Sequence, residues 1–289
     1  VPELPEVETV RRGLHDLILK RRVASVWHDN PKSFPNAEHD VAGFLIDSEI
    51  IDVRRRAKIL LIDLSTDYTL VIHLKMTGQL VFVADTVRFG AGHPNDSLVH
   101  ALPDKSTHVS FEFKDGSHLY FNDQRKFGWV KLIPTLEVPD IDFMKKVGPE
   151  PLEADFTASE FAARFARRSK TSIKAALLDQ TVVAGVGNIY ADESLWGARI
   201  HPKRLVSSIT KKEFEDLYTD LREVMNLAIA KGGSSNHTYI NAEGKKGSYM
   251  DFARVFRREG LECPRCGTTI IKFRAAGRGT HICPNCQKI

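Results

Sequence analysis

The sequence predicts an α+β chain of two domains: an N-terminal β-sandwich with a leading helix, then a helical region closed by a small cysteine-bearing module. Three observations carry this. Eight short β-rich runs lie between Val23 and Leu132, helical periodicity takes over after Pro151, and all four cysteines fall in the last 27 residues. The 289 residues suit one large or two medium domains, and a 42% hydrophobic content is enough to fill sizeable cores. A formal charge of +4 and a pI near 8.8 permit a polyanionic partner without identifying one. No apolar run is long enough to span a bilayer. The opening segment is acidic and amphipathic, not a basic region followed by an apolar one, so a cytoplasmic protein is expected.

From Leu4 to Leu19, the residues Val7, Val10, Leu14, Leu17 and Ile18 recur at helical spacing, with Arg11, Arg12, His15 and Asp16 elsewhere around the wheel. The strand candidates that follow are Val23–Trp27, Ile50–Val53, Ile59–Leu64, Leu70–Leu74, Leu80–Val83, His108–Phe113, His118–Phe121 and Trp129–Leu132. Many short strands imply a sandwich. The polar stretch Ala84–Ser106 lacks periodicity and reads as a long surface loop. Pro134, Pro139, Pro149 and Pro151 punctuate a linker over 134–150, which divides a domain over 1–133 from one over 151–247, with 248–289 as a terminal finger. In the second domain, Ser172–Leu178 and Ile189–Trp196 flank the turn Gly185-Val186-Gly187-Asn188. Lys211–Lys231 is the plainest helix, and the small-residue stretch 232–247 reads as a mobile loop. No internal repeat is present.

The cysteines form two knuckles, Cys263-Pro264-Arg265-Cys266 and Cys283-Pro284-Asn285-Cys286, with 16 residues between them. Two such pairs around a short hairpin can give four thiolates to one tetrahedral zinc ion, with Gly267, Gly277 and Gly279 suiting the turns. Two disulfides or a redox pair are the alternative, disfavoured in a cytosolic setting. Four protein ligands leave no position open for catalysis, so one structural Zn2+ is expected.

The beginning of the chain, Val1-Pro2-Glu3, has its own chemistry. A proline freed at the N-terminus is a secondary amine with a pKa of about 7.7 to 8.0, hence partly neutral and nucleophilic near pH 7. Inside a peptide bond it is neither. The catalytic reading therefore expects Val1 to be the translated image of a non-AUG start codon, decoded as methionine and removed.

Several motifs occur in one order: Pro2-Glu3-Leu4-Pro5-Glu6-Val7-Glu8; Lys58 after Arg54-Arg55-Arg56-Ala57; Asp123-Gln124-Arg125-Lys126-Phe127-Gly128; Gly185-Val186-Gly187-Asn188-Ile189-Tyr190; and Gly277-Arg278-Gly279-Thr280-His281 between the knuckles. The chain resembles the bacterial formamidopyrimidine-DNA glycosylases end to end, and its start is closer to them than to the related endonuclease VIII. The resemblance implies a β-sandwich, a helix-two-turn-helix module and a zinc finger, with damaged duplex DNA held between the domains. It further implies a monomeric enzyme that removes oxidised purines and nicks the strand.

In that light Pro2 is the nucleophile and Glu3 the proton carrier. Lys58 contacts a phosphate and assists elimination, and Arg278 clamps a phosphate with its planar fork. The plain alternative for Glu3 is a helix N-terminal acid favoured by the macrodipole, a role that fits Glu6 and Glu8 better. Lys58 and Arg278, read alone, are solvated surface cations. Met76, Arg125 and Phe127 match the family's intercalating trio, although Met76 and Phe127 by themselves read as core. His73, His108, Lys170 and Asn188 complete the expected DNA contacts, with a helix cap as the plain alternative for Asn188 and a core histidine for His73.

Some positions depart from the family pattern. Thr77 stands where some relatives have Glu, Ser106 where a DNA-contacting His is common, and Ser169 where a basic residue is usual, with Arg167, Arg168 and Lys170 close by. Asn236-His237 replaces a pair ending in Arg in the lesion-capping loop. The competing class is a non-catalytic DNA-damage binding protein, selected if Val1 is retained.

Overall fold

The computed structural model describes residues 2–234 and 248–289. Val1 and the greater part of the expected 232–247 loop, including Asn236 and His237, lie outside them. The chain divides into two compact units, residues 1–145 with 231–248 and residues 146–230 with 249–289.

The first unit opens with α1 (Leu4–Ile18), whose Val7, Val10, Leu14 and Ile18 are buried one turn apart. Among the described residues nine antiparallel strands follow: β1 (Val23–His28), β2 (Ile50–Arg56), β3 (Ile59–Leu64), β4 (Tyr68–His73), β5 (Gly78–Val83), β6 (Arg88–Gly92), β7 (Thr107–Phe113), β8 (His118–Asp123) and β9 (Trp129–Pro134). They form a five-stranded sheet ordered β1-β7-β8-β5-β6 and a four-stranded sheet ordered β2-β3-β4-β9. A short helix α2 (Glu38–Asp40) runs into a π-helical turn (Val41–Leu45) between β1 and β2. One core joins the inner faces of both sheets and the apolar stripe of α1.

All eight strand candidates form, and two further expectations give way. The stretch Ala84–Ser106 is not simply a surface loop, because β6 lies inside it and pairs with β5 from Gln79↔Gly92 to Val83↔Arg88. Phe89 of β6 packs on α1 where Gly13 leaves room: a Cβ on Gly13 would come within 2.0 Å of the Phe89 ring. Arg88 fastens the remainder by donating to the carbonyls of Leu98 (2.9 Å), Ser97 (3.1 Å) and His100 (2.6 Å). The segment 134–150 is likewise no bare linker. Its 3-10 turn (Thr135–Asp140) and helix α3 (Asp142–Lys146) bring Val138, Ile141, Phe143 and Met144 against Ile59, Leu61 and Val71. Strand β3 is apolar on both faces, Leu60, Ile62 and Leu64 facing the sandwich core and Ile59 and Leu61 facing away, so the outer face requires this cover.

The second unit holds α4 (Ala158–Phe165), α5 (Ile173–Leu178), α6 (Asn188–Gly197) and α7 (Lys211–Ala230), then the hairpin β10 (Ile271–Ala275) and β11 (Arg278–Ile282). Helix α4, which periodicity did not reveal, is started by a Thr157/Glu160 capping box. Its Phe161 and Phe165 join an aromatic cluster with Phe156, Phe214 and Tyr218. The β10–β11 turn places Ala276 (φ 50°) and Gly277 (φ 70°) in the left-handed region, the two-residue geometry that matches hairpin twist. No helix among the described residues is long and apolar enough to cross a membrane.

Candidate functional site

In the first unit, Pro2 is buried one residue ahead of Glu3, the N-cap of α1. The Glu3 backbone N–H donates to Glu6 Oε2 (2.8 Å), and Glu6 Oε1 accepts from the Ser234 N–H (2.8 Å). Glu6 therefore holds the start of α1 in place, as its sequence reading as a helix-start acid suggests. Glu8 anchors the same helix sideways, accepting from Arg11 (2.8 Å), Arg12 (2.8 Å) and Arg55 of β2 (3.1 Å). Burial opposes its ionisation, but the hydrogen bonds from Arg11 and Arg12 prevail and draw the carboxyl down to about 2.

Lys58 is half-buried in the β2–β3 turn, next to Ala57, whose φ of 52° makes the chain reverse there. Arg55 stiffens this turn by donating to the Ala57 carbonyl (2.9 Å). His73, which pairs with Ile59 across the sheet, accepts the Lys75 N–H on Nδ1 (3.0 Å), which fixes the ring proton on Nε2. Its ring meets Trp129 and Phe143 edge-on. Burial, with Lys75 and Lys58 close by, pushes the imidazole down to about 3, so His73 is neutral at physiological pH.

The structure brings the three candidate wedge residues together. Arg125 donates to Met76 Sδ (3.0 Å) and stacks its guanidinium 4.9 Å from the Phe127 ring centroid. Phe127 is 54% exposed, which removes the core reading that the residue type alone suggests. His108 goes the other way. It is fully buried, its Nδ1 facing Asp29 (2.9 Å) and its Nε2 donating to the Asp123 carbonyl (2.9 Å), so the expectation of a direct DNA contact is corrected to an internal support.

In the second unit, Arg278 is exposed at the start of β11, and Asn188 reaches the same hairpin by donating from Nδ2 to the Gly279 carbonyl (2.9 Å). Asn188 is the first residue of α6 and Gly187 its N-cap, so the plain cap reading does not hold. Beneath the hairpin lies a charged cluster that no motif signals. The buried Lys174 donates to Asp192 Oδ1 (2.6 Å) and Thr280 Oγ1 (2.7 Å), while Asp192 Oδ2 accepts from the His281 backbone (2.9 Å) and faces its Nδ1 (3.1 Å). A lysine and an aspartate 18 positions apart in two helices give no sequence cue to their pairing. Lys170 is exposed in the turn before α5.

The four cysteine sulfurs lie within 4.8 Å of one another, with separations of 4.0, 3.5 and 3.6 Å among neighbours. A tetrahedron of thiolates about 2.3 Å from zinc has edges of about 3.8 Å, whereas a disulfide needs about 2.05 Å, so the set suits one structural zinc. Trp196 Nε1 donates to Cys263 Sγ (3.4 Å), and Arg265 stacks 3.9 Å from the Trp196 ring centroid while donating to the carbonyls of Trp196 and Gly197 (3.1 Å each). Cys263 and Cys283 are buried, and Cys266 is exposed.

A β-sandwich led by an acid-capped helix is thus joined in one chain to a helical unit with a four-cysteine hairpin. The formamidopyrimidine-DNA glycosylase N-terminal domain matches residues 1–130, the corresponding H2TH domain matches 147–239, and a zinc finger found in FPG and IleRS matches 260–289. A Streptococcus pyogenes formamidopyrimidine-DNA glycosylase is 43% identical over all of this chain and 99% of its own length. The Lactococcus lactis Fpg in complex with an abasic site containing DNA superposes with a TM-score of 0.87 at 36% identity, over 99% of this chain and 100% of that one. A variant of the Lactococcus lactis enzyme with a Fapy-dG containing DNA gives 0.87 and 36% over the full length of both. This chain belongs to the formamidopyrimidine-DNA glycosylase family.

Proposed function

We propose that this protein is a base-excision repair DNA glycosylase that removes oxidised purines, 8-oxoguanine and formamidopyrimidines, from duplex DNA and then cleaves the strand as an abasic-site lyase. The observation that carries the reading is the position of Pro2, one residue ahead of the α1 N-cap. Once Val1 has been removed, a neutral Pro2 nitrogen attacks sugar C1′, the base departs, and the sugar ring opens to leave an iminium. The cation acidifies C2′: loss of that proton expels the 3′-phosphate, and a second elimination through C4′ expels the 5′-phosphate. Glu3 moves protons at the sugar, Lys58 and Arg278 hold phosphates, and Asn188 and Lys170 steady the backbone. His73, neutral with its proton on Nε2, offers a phosphate a hydrogen bond and no charge. Met76, Arg125 and Phe127 fill the space left by the extruded nucleotide. The proposed workplace is the nucleoid in a bacterial cytoplasm, with the protein acting as a monomer.

The test is reductive trapping. Incubation with an abasic-site or 8-oxoguanine duplex and borohydride should give a covalent protein–DNA adduct that Pro2→Gly abolishes. N-terminal sequencing of the same sample establishes whether Pro2 leads the chain. No adduct from protein with a verified free Pro2 would sink the catalytic reading.

A further inference from the structure

We infer that Asp123 and Thr77 are the positioning residues of the base-extruding wedge, a buried carboxylate and hydroxyl that hold the Arg125–Phe127 turn in its exposed pose. The inference rests on the glycosylase reading. Asp123 is fully buried at the end of β8, and its side chain is filled on both oxygens. Oδ1 accepts a short hydrogen bond from the Thr77 hydroxyl and one from the Arg125 N–H (3.1 Å). Oδ2 accepts from the Phe127 N–H (2.9 Å) and the Gly128 N–H (2.6 Å). The Thr77 oxygen in turn accepts from the Arg125 N–H (3.1 Å).

Three of the backbone donors of one turn thus converge on a single carboxylate, and the side chains projecting from that turn are the cation and the ring of the wedge. Lys126, between them, has φ 57°, a conformation that a non-glycine residue keeps only when its neighbours are held. Gly128 closes the turn with no room for a side chain: an added Cβ would stand 2.7 Å from the Phe121 ring and 2.9 Å from the His73 carbonyl. The main chain of Asp123 is fixed as well, donating to the Ser106 carbonyl (2.8 Å) and accepting from His108 Nε2 (2.9 Å). Forcing a base from the stack loads the wedge, and a loosely held turn would return that load as movement. An abasic site has no base to expel and makes a smaller demand.

The carboxylate is needed as such. An amide at position 123 has one acceptor oxygen, so its NH2 faces either the Phe127 and Gly128 N–H groups or the Arg125 N–H, donors that a carboxylate oxygen now satisfies. Single-turnover rates should be measured on an 8-oxoguanine·cytosine duplex and on the same duplex with a preformed abasic site. Asp123→Asn should lower the ratio of base excision to abasic-site cleavage about 50-fold, Thr77→Val should lower it about 5-fold, and Thr77→Ser should stay within about 2-fold of the parent. If Asp123→Asn does not melt cooperatively, the Thr77→Val and Thr77→Ser pair decides. An unchanged ratio in Thr77→Val, or equal losses on both substrates, overturns the inference. A parent protein that forms no adduct with abasic DNA overturns the proposed function first, and this inference with it.

Discussion

His73 shows how a residue's neighbours decide its chemistry. Its pKa is lowered in the fold to about 3 by burial, with Lys75 and Lys58 adding to the effect, while the unfolded chain retains about 6.5. The unfolded state therefore binds the extra proton first. Stability attributable to this site is intact above about pH 6.5 and declines as the pH falls toward 3. The expected loss by pH 5 is about 2 kcal/mol, and His73→Phe should flatten that part of the pH–stability curve measured by urea unfolding. The proton resonances of the His73 ring should not titrate between pH 5 and 8. The candidate site residues are proposed from motifs that occur in order along the sequence. Their surroundings were not legible there: the exposure of Phe127 and the enclosure of His108 depend on which strand faces where, and that is settled by partners distant in sequence.

At the scale of elements, period-2 and helical spacing revealed the eight main strands and α1, whose apolar stripe faces one core. Strand β6 escaped because two of its five residues are glycines, Gly90 and Gly92, and its burial comes from α1 and β5, not from its own pattern. The contact between β6 and α1 is testable. Gly13→Ala places a methyl in the space of the Phe89 ring and should cost about 2 kcal/mol, seen as a lower Tm. Combining it with Phe89→Leu should restore part of the loss if the clash is the cause. Glu8 supports the opposite side of the helix. Its carboxyl is lowered from 4.5 to about 2, so its contribution is complete above about pH 4.5 and fades as the pH drops through 2. Glu8→Gln should lower stability at pH 7 by about 1 to 2 kcal/mol, with little penalty remaining below pH 2, because three guanidinium groups lose a shared partner while solvent screens part of the effect.

On the scale of the whole molecule, the two units draw stability from different sources. The first has a continuous apolar core. Among the described residues, the apolar cluster at the hairpin end of the second is small, Trp196, Val255, Cys263, Ile270 and Cys283, so β10–β11 is expected to depend on the metal as well as on the Lys174–Asp192 contacts. Chelation, or Cys263→Ser, should therefore remove zinc and melt the hairpin, while the β-sheet signal of the first unit persists in far-UV circular dichroism. A Cys263→Ser protein that keeps stoichiometric zinc and full activity would contradict this.

The knuckles are unequal, for Cys263 and Cys283 sit inside while Cys266 meets solvent. Dismantling of the centre accordingly has a direction: competing chelators or thiol reagents arrive at the Cys266 corner, and the sulfur capped by the Trp196 indole is surrendered last. A quench or shift in Trp196 emission should trail the first modified cysteine, making that indole a built-in reporter of when the finger finally lets go.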